Sequence, residues 1–158
     1  MSLPAPERQR AIHDLARAVD LTNIRTVEFS AQLLEQPPEI QPVALAVNSD
    51  LKTGQVPGGF VVEARFSLKA RTGAEGGHDF LELLYRVGAV YSFAGTLPPD
   101  EVLGAFAETN GMIHLWPYFR AYVQQTCAQL GIAPIILSPF RLAPARTEPQ
   151  GGPPPTRN

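Results

Sequence analysis

Charge is scarce in this chain of 158 residues: Lys, Arg, Asp and Glu make up 18%, against 44% hydrophobic residues. About a quarter charged is usual for a soluble domain. A shortage of charge on so small a protein implies that some of its surface is covered by other protein. The formal net charge of −2 argues against a phosphate backbone as partner, so no nucleic acid is expected. A single cysteine, Cys127, excludes an internal disulfide framework and any Cys-rich zinc site. No apolar run approaches the ~20 residues that span a bilayer, so no membrane insertion is expected. The opening MSLPAPERQR lacks the apolar core of a secretory signal, which gives a cytoplasmic expectation. The length suits one domain around a single core.

What is present is patterned. In residues 4–20, Ile12, Leu15, Ala16 and Val19 recur at helical spacing, predicting an N-terminal amphipathic helix within residues 1–21. Three segments then alternate with period two. Val27, Phe29, Ala31 and Leu33 share one side of the first. Phe60, Val62, Ala64, Phe66, Leu68 and Ala70 share one side of the second. Leu81, Leu83, Tyr85, Val87, Ala89, Tyr91 and Phe93 share one side of the third. One apolar and one wetted face is the pattern of an antiparallel sheet covered on one side. A fourth strand, 43–52, alternates less cleanly and is expected at an edge.

The chain then turns helical. Pro98 and Pro99 precede Asp100 and Glu101, which suit a helix N-terminus, and Asn110-Gly111 reads as a stop. In the next helix Leu115, Phe119, Tyr122, Val123, Thr126, Cys127 and Leu130 form one stripe, and Gly131 follows as a C-terminal cap. Pro117 is expected in its first turn. Residues 132–142 are apolar, interrupted by Pro134 and Pro139, and predict an extended arm. Residues 143–158 hold five prolines and no bulky apolar group, predicting a disordered Pro/Gly-rich tail. The expected fold class is α+β, a four-stranded antiparallel sheet with helices packed on one face. One helix is too narrow for so long an apolar stripe, and a second copy of the chain is the simplest cover for the remainder.

Catalytic machinery is not visible. His114 and Cys127 are thirteen residues apart, roughly 20 Å along a helix, whereas a nucleophile–base pair needs about 3 Å. His13 and His78 lack zinc-ligand spacing. Asp100/Glu101 fits a helix N-terminus, and Asp79/Glu82 reads as solvated. GAEGG at 73–77 lacks the Lys and the following helix of a phosphate loop. The cluster Trp116, Tyr118, Phe119 and Tyr122 has only Arg120 as a basic companion, a poor platform for stacking single-stranded nucleic acid. No catalytic residue, metal site or cofactor is assigned, and the chain is expected not to be an enzyme.

FSA at 29–31, GAVYSFAG at 88–95, HLWPYFR at 114–120 and IAPIILSPF at 132–140, in that order and spacing, resemble the SecB family of protein-export chaperones over residues 22–142. The resemblance implies an ATP-independent holdase that assembles as a homotetramer, a dimer of dimers, and binds unfolded precursor proteins in hydrophobic grooves. It implies client contacts at Ile40, Val43, Leu45, Ile135, Leu137 and Phe140. It places Trp116, Tyr118, Phe119, Tyr122, Leu83 and Tyr85 in the core or the oligomer contacts. The chain departs from the family in three respects. The arm leads into a Pro-rich stretch rather than a long C-terminal helix. No Cys or His follows Cys127 to build a SecA-gripping zinc tail. Positions that are acidic on the outer sheet of secretion-dedicated members are Thr26 and Ser30 here. SecA as partner is therefore not implied. A SecB-like chaperone dedicated to one partner, such as an antitoxin, is the alternative within the family. A small enzyme or ligand-binding domain using an apolar pocket is the alternative outside it.

Overall fold

The computed structural model describes residues 5–37, 43–73 and 76–142. Within them the order is α1 (Ala5–Ala18), β1 (Asp20–Leu33), β2 (Val43–Val56), β3 (Gly59–Thr72), β4 (Asp79–Ser92), α2 (Asp100–Phe106) and α3 (Met112–Leu130). The four strands form one antiparallel sheet in the order β1-β4-β3-β2. Strands β2, β3 and β4 run as a meander and β1 lies beside β4, a Greek-key arrangement. The expected α+β class and the edge position of β2 both hold. The tail and the 38–42 segment lie outside the described residues.

Alternation fixes the two faces. Phe60, Val62, Ala64, Phe66, Leu68 and Ala70 of β3, and Leu81, Leu83, Tyr85, Val87, Ala89 and Tyr91 of β4, are buried on the inner face. The reverse face carries ion pairs: Arg86 lies 3.3 Å from both Glu28 and Glu63, Lys69 3.2 Å from Glu82, and Arg71 2.9 Å from Asp79. These pairs are largely exposed, so they keep that face wet and add little stability.

Strand β1 departs from simple alternation. The register shifts between Thr26 and Glu28, opposite Val87 and Arg86, which makes Val27 a bulge residue. The slip puts Thr26 on the inner face, its hydroxyl 2.8 Å from the Tyr85 hydroxyl. Thr26 is therefore not an outer-face position, and the bulge interrupts the simple alternation of Val27 with Phe29, Ala31 and Leu33. Strand β1 also begins at Asp20, inside the segment assigned to the N-terminal helix.

The expected helix stop at Asn110-Gly111 is absent. A π-helical turn, Ala107–Gly111, carries α2 directly into α3, and Gly111 itself is helical at φ −57°, ψ −48°. Pro117 consequently lies inside α3 rather than in its first turn. The reason is packing. Leu103, Ala107, Gly111, Leu115, Phe119, Val123 and Cys127 form an unbroken four-residue row, all buried against the sheet. Such a row drifts by about 40° per step on a 3.6-residue helix, and the wider π-turn takes up part of that drift. Gly111 also permits the closest approach, because a Cβ there would meet Val62 Cγ1 at 2.9 Å.

At the far end the cap is as expected. Gly131 is left-handed at φ 68°, and the Ile132 N–H donates to the Cys127 carbonyl at 3.0 Å. Helix α1 buries Leu15, and its Arg8 lies 3.6 Å from Glu101 of α2.

The junction of α2 and α3 is tied to the sheet by a polar contact. Tyr91 is stacked on Phe60 at 5.1 Å and set edge-on to Phe106 at 5.1 Å, and its hydroxyl lies 2.8 Å from His114 Nδ1. Burial raises the Tyr91 pKa well above the ordinary phenol value, so the hydroxyl stays protonated, and the tautomer of His114 sets which of the two donates. His114 thus helps hold the helix down.

Two predictions follow from this docking. Gly111→Ala gains helix propensity yet meets the buried Val62 side chain, so we expect a loss of about 1–3 kcal/mol. Gly104→Ala in α2, with nothing within 4 Å of the new Cβ, should gain about 0.5–1 kcal/mol. Chemical denaturation of both variants checks the pair, and a stabilised Gly111→Ala would contradict the close approach. Burial also lowers the His114 pKa below its ordinary 6.5. The fold therefore favours neutral imidazole, and this contribution is complete above pH 6.5 and lost as pH falls below it. Denaturation midpoints between pH 8 and 5 should fall less steeply in His114→Leu than in the wild type, and equal slopes would contradict it.

Candidate functional site

Aromatic rings cross the whole inner face beneath α3. Phe66 of β3 stacks on Phe119 at 4.7 Å, Tyr85 of β4 stacks on Tyr122 at 4.6 Å, and Phe29 of β1 meets Tyr122 edge-on at 6.1 Å. At the other end Trp116 lies 5.7 Å from Phe66 and 6.3 Å from Phe140. Such pairs contribute roughly 0.5–1.5 kcal/mol each beyond their burial. Phe119, Leu83 and Tyr85 are buried, Trp116 and Tyr122 are half-buried, and Tyr118 is 46% exposed. Tyr118 is thus no part of the core of a single chain.

The helix leaves the sheet uncovered on both sides. Toward β1 is an open cleft of 660 Å³ between Phe29, Ala31, Tyr85, Tyr118, Tyr122 and Leu130. Phe29 is 68% exposed there, although it lies on the inner face. This is the uncovered remainder of the apolar stripe that the sequence predicted. Polar groups border it: the Tyr122 hydroxyl donates to the Ser30 carbonyl at 2.8 Å. Burial raises the Tyr122 pKa, a hydrogen bond with Thr126 opposes that shift, and Tyr85 adds to it.

Toward β2 lies a second cleft of 460 Å³, bounded by Val43, Leu45, Phe80 and residues 131–136, with Gln36 and Pro37 at its rim. Among the described residues its lining carries no charge. Val43 and Leu45 alternate along the edge strand and remain 44% and 41% exposed, and Ile136 across from them is 71% exposed. Of the residues singled out as client contacts, the structure brings Val43, Leu45 and Ile135 to this cleft. Leu137 is buried behind it and Phe140 packs beside Trp116. Ile40 lies outside the described residues.

The arm forming the cleft's far wall has neither helix nor strand structure. Side chains of α3 hold it: the Trp116 indole N–H donates to the Ser138 carbonyl at 2.8 Å, and Arg120 Nε–H to the Leu137 carbonyl at 2.8 Å. Ile135 and Leu137 plug the arm into the core at 8% and 6% exposure. Buried Cys127 sits beneath it, burial pushing its thiol pKa up while a hydrogen bond from the Ile135 backbone opposes. Sequence reasoning missed these anchors. The available signal was Trp116 and Arg120 four apart on α3, both off the buried row. Among the described residues no group of three or more His, Cys, Asp and Glu is placed to hold a metal ion, and no helix is long and apolar enough to cross a membrane.

No protein-family model matches the sequence, and no curated protein matches it. Solved structures do. A SecB-like chaperone of Mycobacterium tuberculosis, solved in complex with a ChAD peptide from the HigA1 antitoxin, superposes with a TM-score of 0.77 at 23% identity, covering 85% of this chain and 99% of that one. A protein of unknown function from Streptococcus agalactiae, at a TM-score of 0.32 and 11% identity over 76% of this chain and 96% of that one, is too distant to bear on the fold. The Greek-key sheet, the long helix laid across its apolar face and the Pro-containing arm beside it make this chain a protein of SecB-like fold.

Proposed function

We propose that this chain is an ATP-independent, non-enzymatic holdase that binds unfolded protein segments in its apolar clefts. The observation that carries the reading is the cleft, uncharged among the described residues, between the Val43–Leu45 edge and the 131–136 wall. Val43, Leu45 and Ile136 stay exposed there in the free chain, and the cleft lies beside an edge strand able to pair with an extended segment. One aliphatic anchor contributes ~1.5–3 kcal/mol, while ordering a flexible segment costs 2–5 kcal/mol or more. One cleft therefore holds an unfolded chain weakly. Several clefts on one assembly raise the apparent affinity through effective concentration. We accordingly propose a homotetramer, a dimer of dimers, that works in the cytoplasm on precursor proteins destined for export. The open cleft beside exposed Phe29 and Tyr118 is the apolar area such an assembly would cover.

A second reading is a chaperone dedicated to one partner. It is favoured by the peptide bound to the Mycobacterium tuberculosis protein, which comes from an antitoxin. An antitoxin segment would use the same cleft, so the two readings differ in breadth of clients and not in chemistry. SecA is not proposed as a partner.

Leu45→Asp separates client binding from folding. Leu45 is exposed enough for a carboxylate to stay hydrated in the free protein, but a docked apolar segment would desolvate it. We expect unchanged mass and unfolding midpoint, with affinity for an unfolded precursor weakened at least about tenfold in a titration. Unchanged affinity would move the binding site elsewhere.

A further inference from the structure

Trp116 and Arg120 reach the arm and not the cleft. Neither lines the cavity, yet both donate to consecutive arm carbonyls, at Ser138 and Leu137. They stand four residues apart on α3, so they project from the same side of the helix. The arm has no backbone ladder of its own; buried Ile135 and Leu137 seat it on the core, and few hydrogen bonds set the rest of its path. It leaves the helix cap through the Ile132 N–H to Cys127 carbonyl bond of 3.0 Å. It then carries Ile132, Ile135 and Ile136 past the cleft. The two side-chain bonds fasten it just beyond.

We infer that Trp116 and Arg120 are positioning residues for client binding: a two-point strap that holds the 132–136 wall at its distance from Val43 and Leu45. The inference rests on the proposed holdase role. Its physical content is preorganisation. A wall of irregular backbone left loose must be ordered when a client docks, and that ordering weakens binding. A wall fastened beforehand avoids the loss. The two donors suit the task. The Arg120 bond is charge-assisted and therefore strong, and indole alone among the apolar aromatic side chains provides an N–H. Phenylalanine at 116 would keep the ring contact with Phe66 and lose one of the two fastening points.

The test is Trp116→Phe with Arg120→Met, which keeps the ring and the aliphatic stem and removes both donors. Two quantities are read: hydrogen exchange over residues 132–142, and affinity for reduced, carboxymethylated lactalbumin, a permanently unfolded probe. We expect wild-type mass, exchange across the arm faster by about tenfold, and affinity lower by about tenfold, the loss typical of a charge-assisted hydrogen bond. The faster exchange should be confined to the arm, whereas a merely destabilised core would also exchange faster across β3 and β4. If the double variant fails to fold, Arg120→Met alone carries the same test on a half-buried side chain. Faster exchange with unchanged affinity, or unchanged exchange, overturns the strap and leaves the holdase reading intact. A wild-type protein that ignores the probe overturns the holdase reading, and the strap's role with it.

Discussion

The docking of α3 on the inner face of the sheet is the contact on which the rest depends. It is built from a four-residue row of buried side chains and a line of aromatic rings from Phe140 through Trp116, Phe66, Phe119, Tyr85 and Tyr122 to Phe29. The row needs Gly111 at its tightest point, where a side chain would strike Val62. It tolerates Pro117 inside the helix because the bonds lost to proline are few against the burial gained. The π-turn follows from the same demand, since an uninterrupted α-helix would rotate the row away from the sheet.

One helix covers only the middle of a four-stranded sheet, and both candidate clefts are the uncovered flanks. The flank toward β1 is aromatic and bordered by hydroxyl and amide groups. The flank toward β2 is aliphatic, uncharged among the described residues, and walled by a segment of irregular backbone. Exposed apolar surface of this extent is a liability in a solitary protein and an asset in one that binds other chains. The low charge content of the sequence is the compositional trace of the same fact.

Much of this was legible in the residues. The faces of β3 and β4 follow from strict alternation, the edge position of β2 from its weaker alternation, and the cap at Gly131 from its place after the stripe. The layout of sheet, helix and arm followed from these and from the motifs at 88–95 and 114–120. What was not legible depended on tertiary demands. The bulge at Val27 inserts one residue into a pattern that otherwise reads as regular, and it moved Thr26 inward. Asn110-Gly111 carries the local chemistry of a stop, but the row from Leu103 to Cys127 runs through it. The bonds from Trp116 and Arg120 to the arm join residues some twenty apart, beyond the reach of any local pattern. The contact of Tyr91 with His114 was hidden for the same reason.

The central claim is that these flanks hold unfolded chain on an assembled protein. Light-scattering mass in solution tests it most directly, measured alone and then with a slow-folding precursor released from denaturant. The expected mass is near four chains, growing by one client when the precursor is unfolded and staying constant when it is already folded. A particle whose mass ignores the unfolded precursor would contradict it.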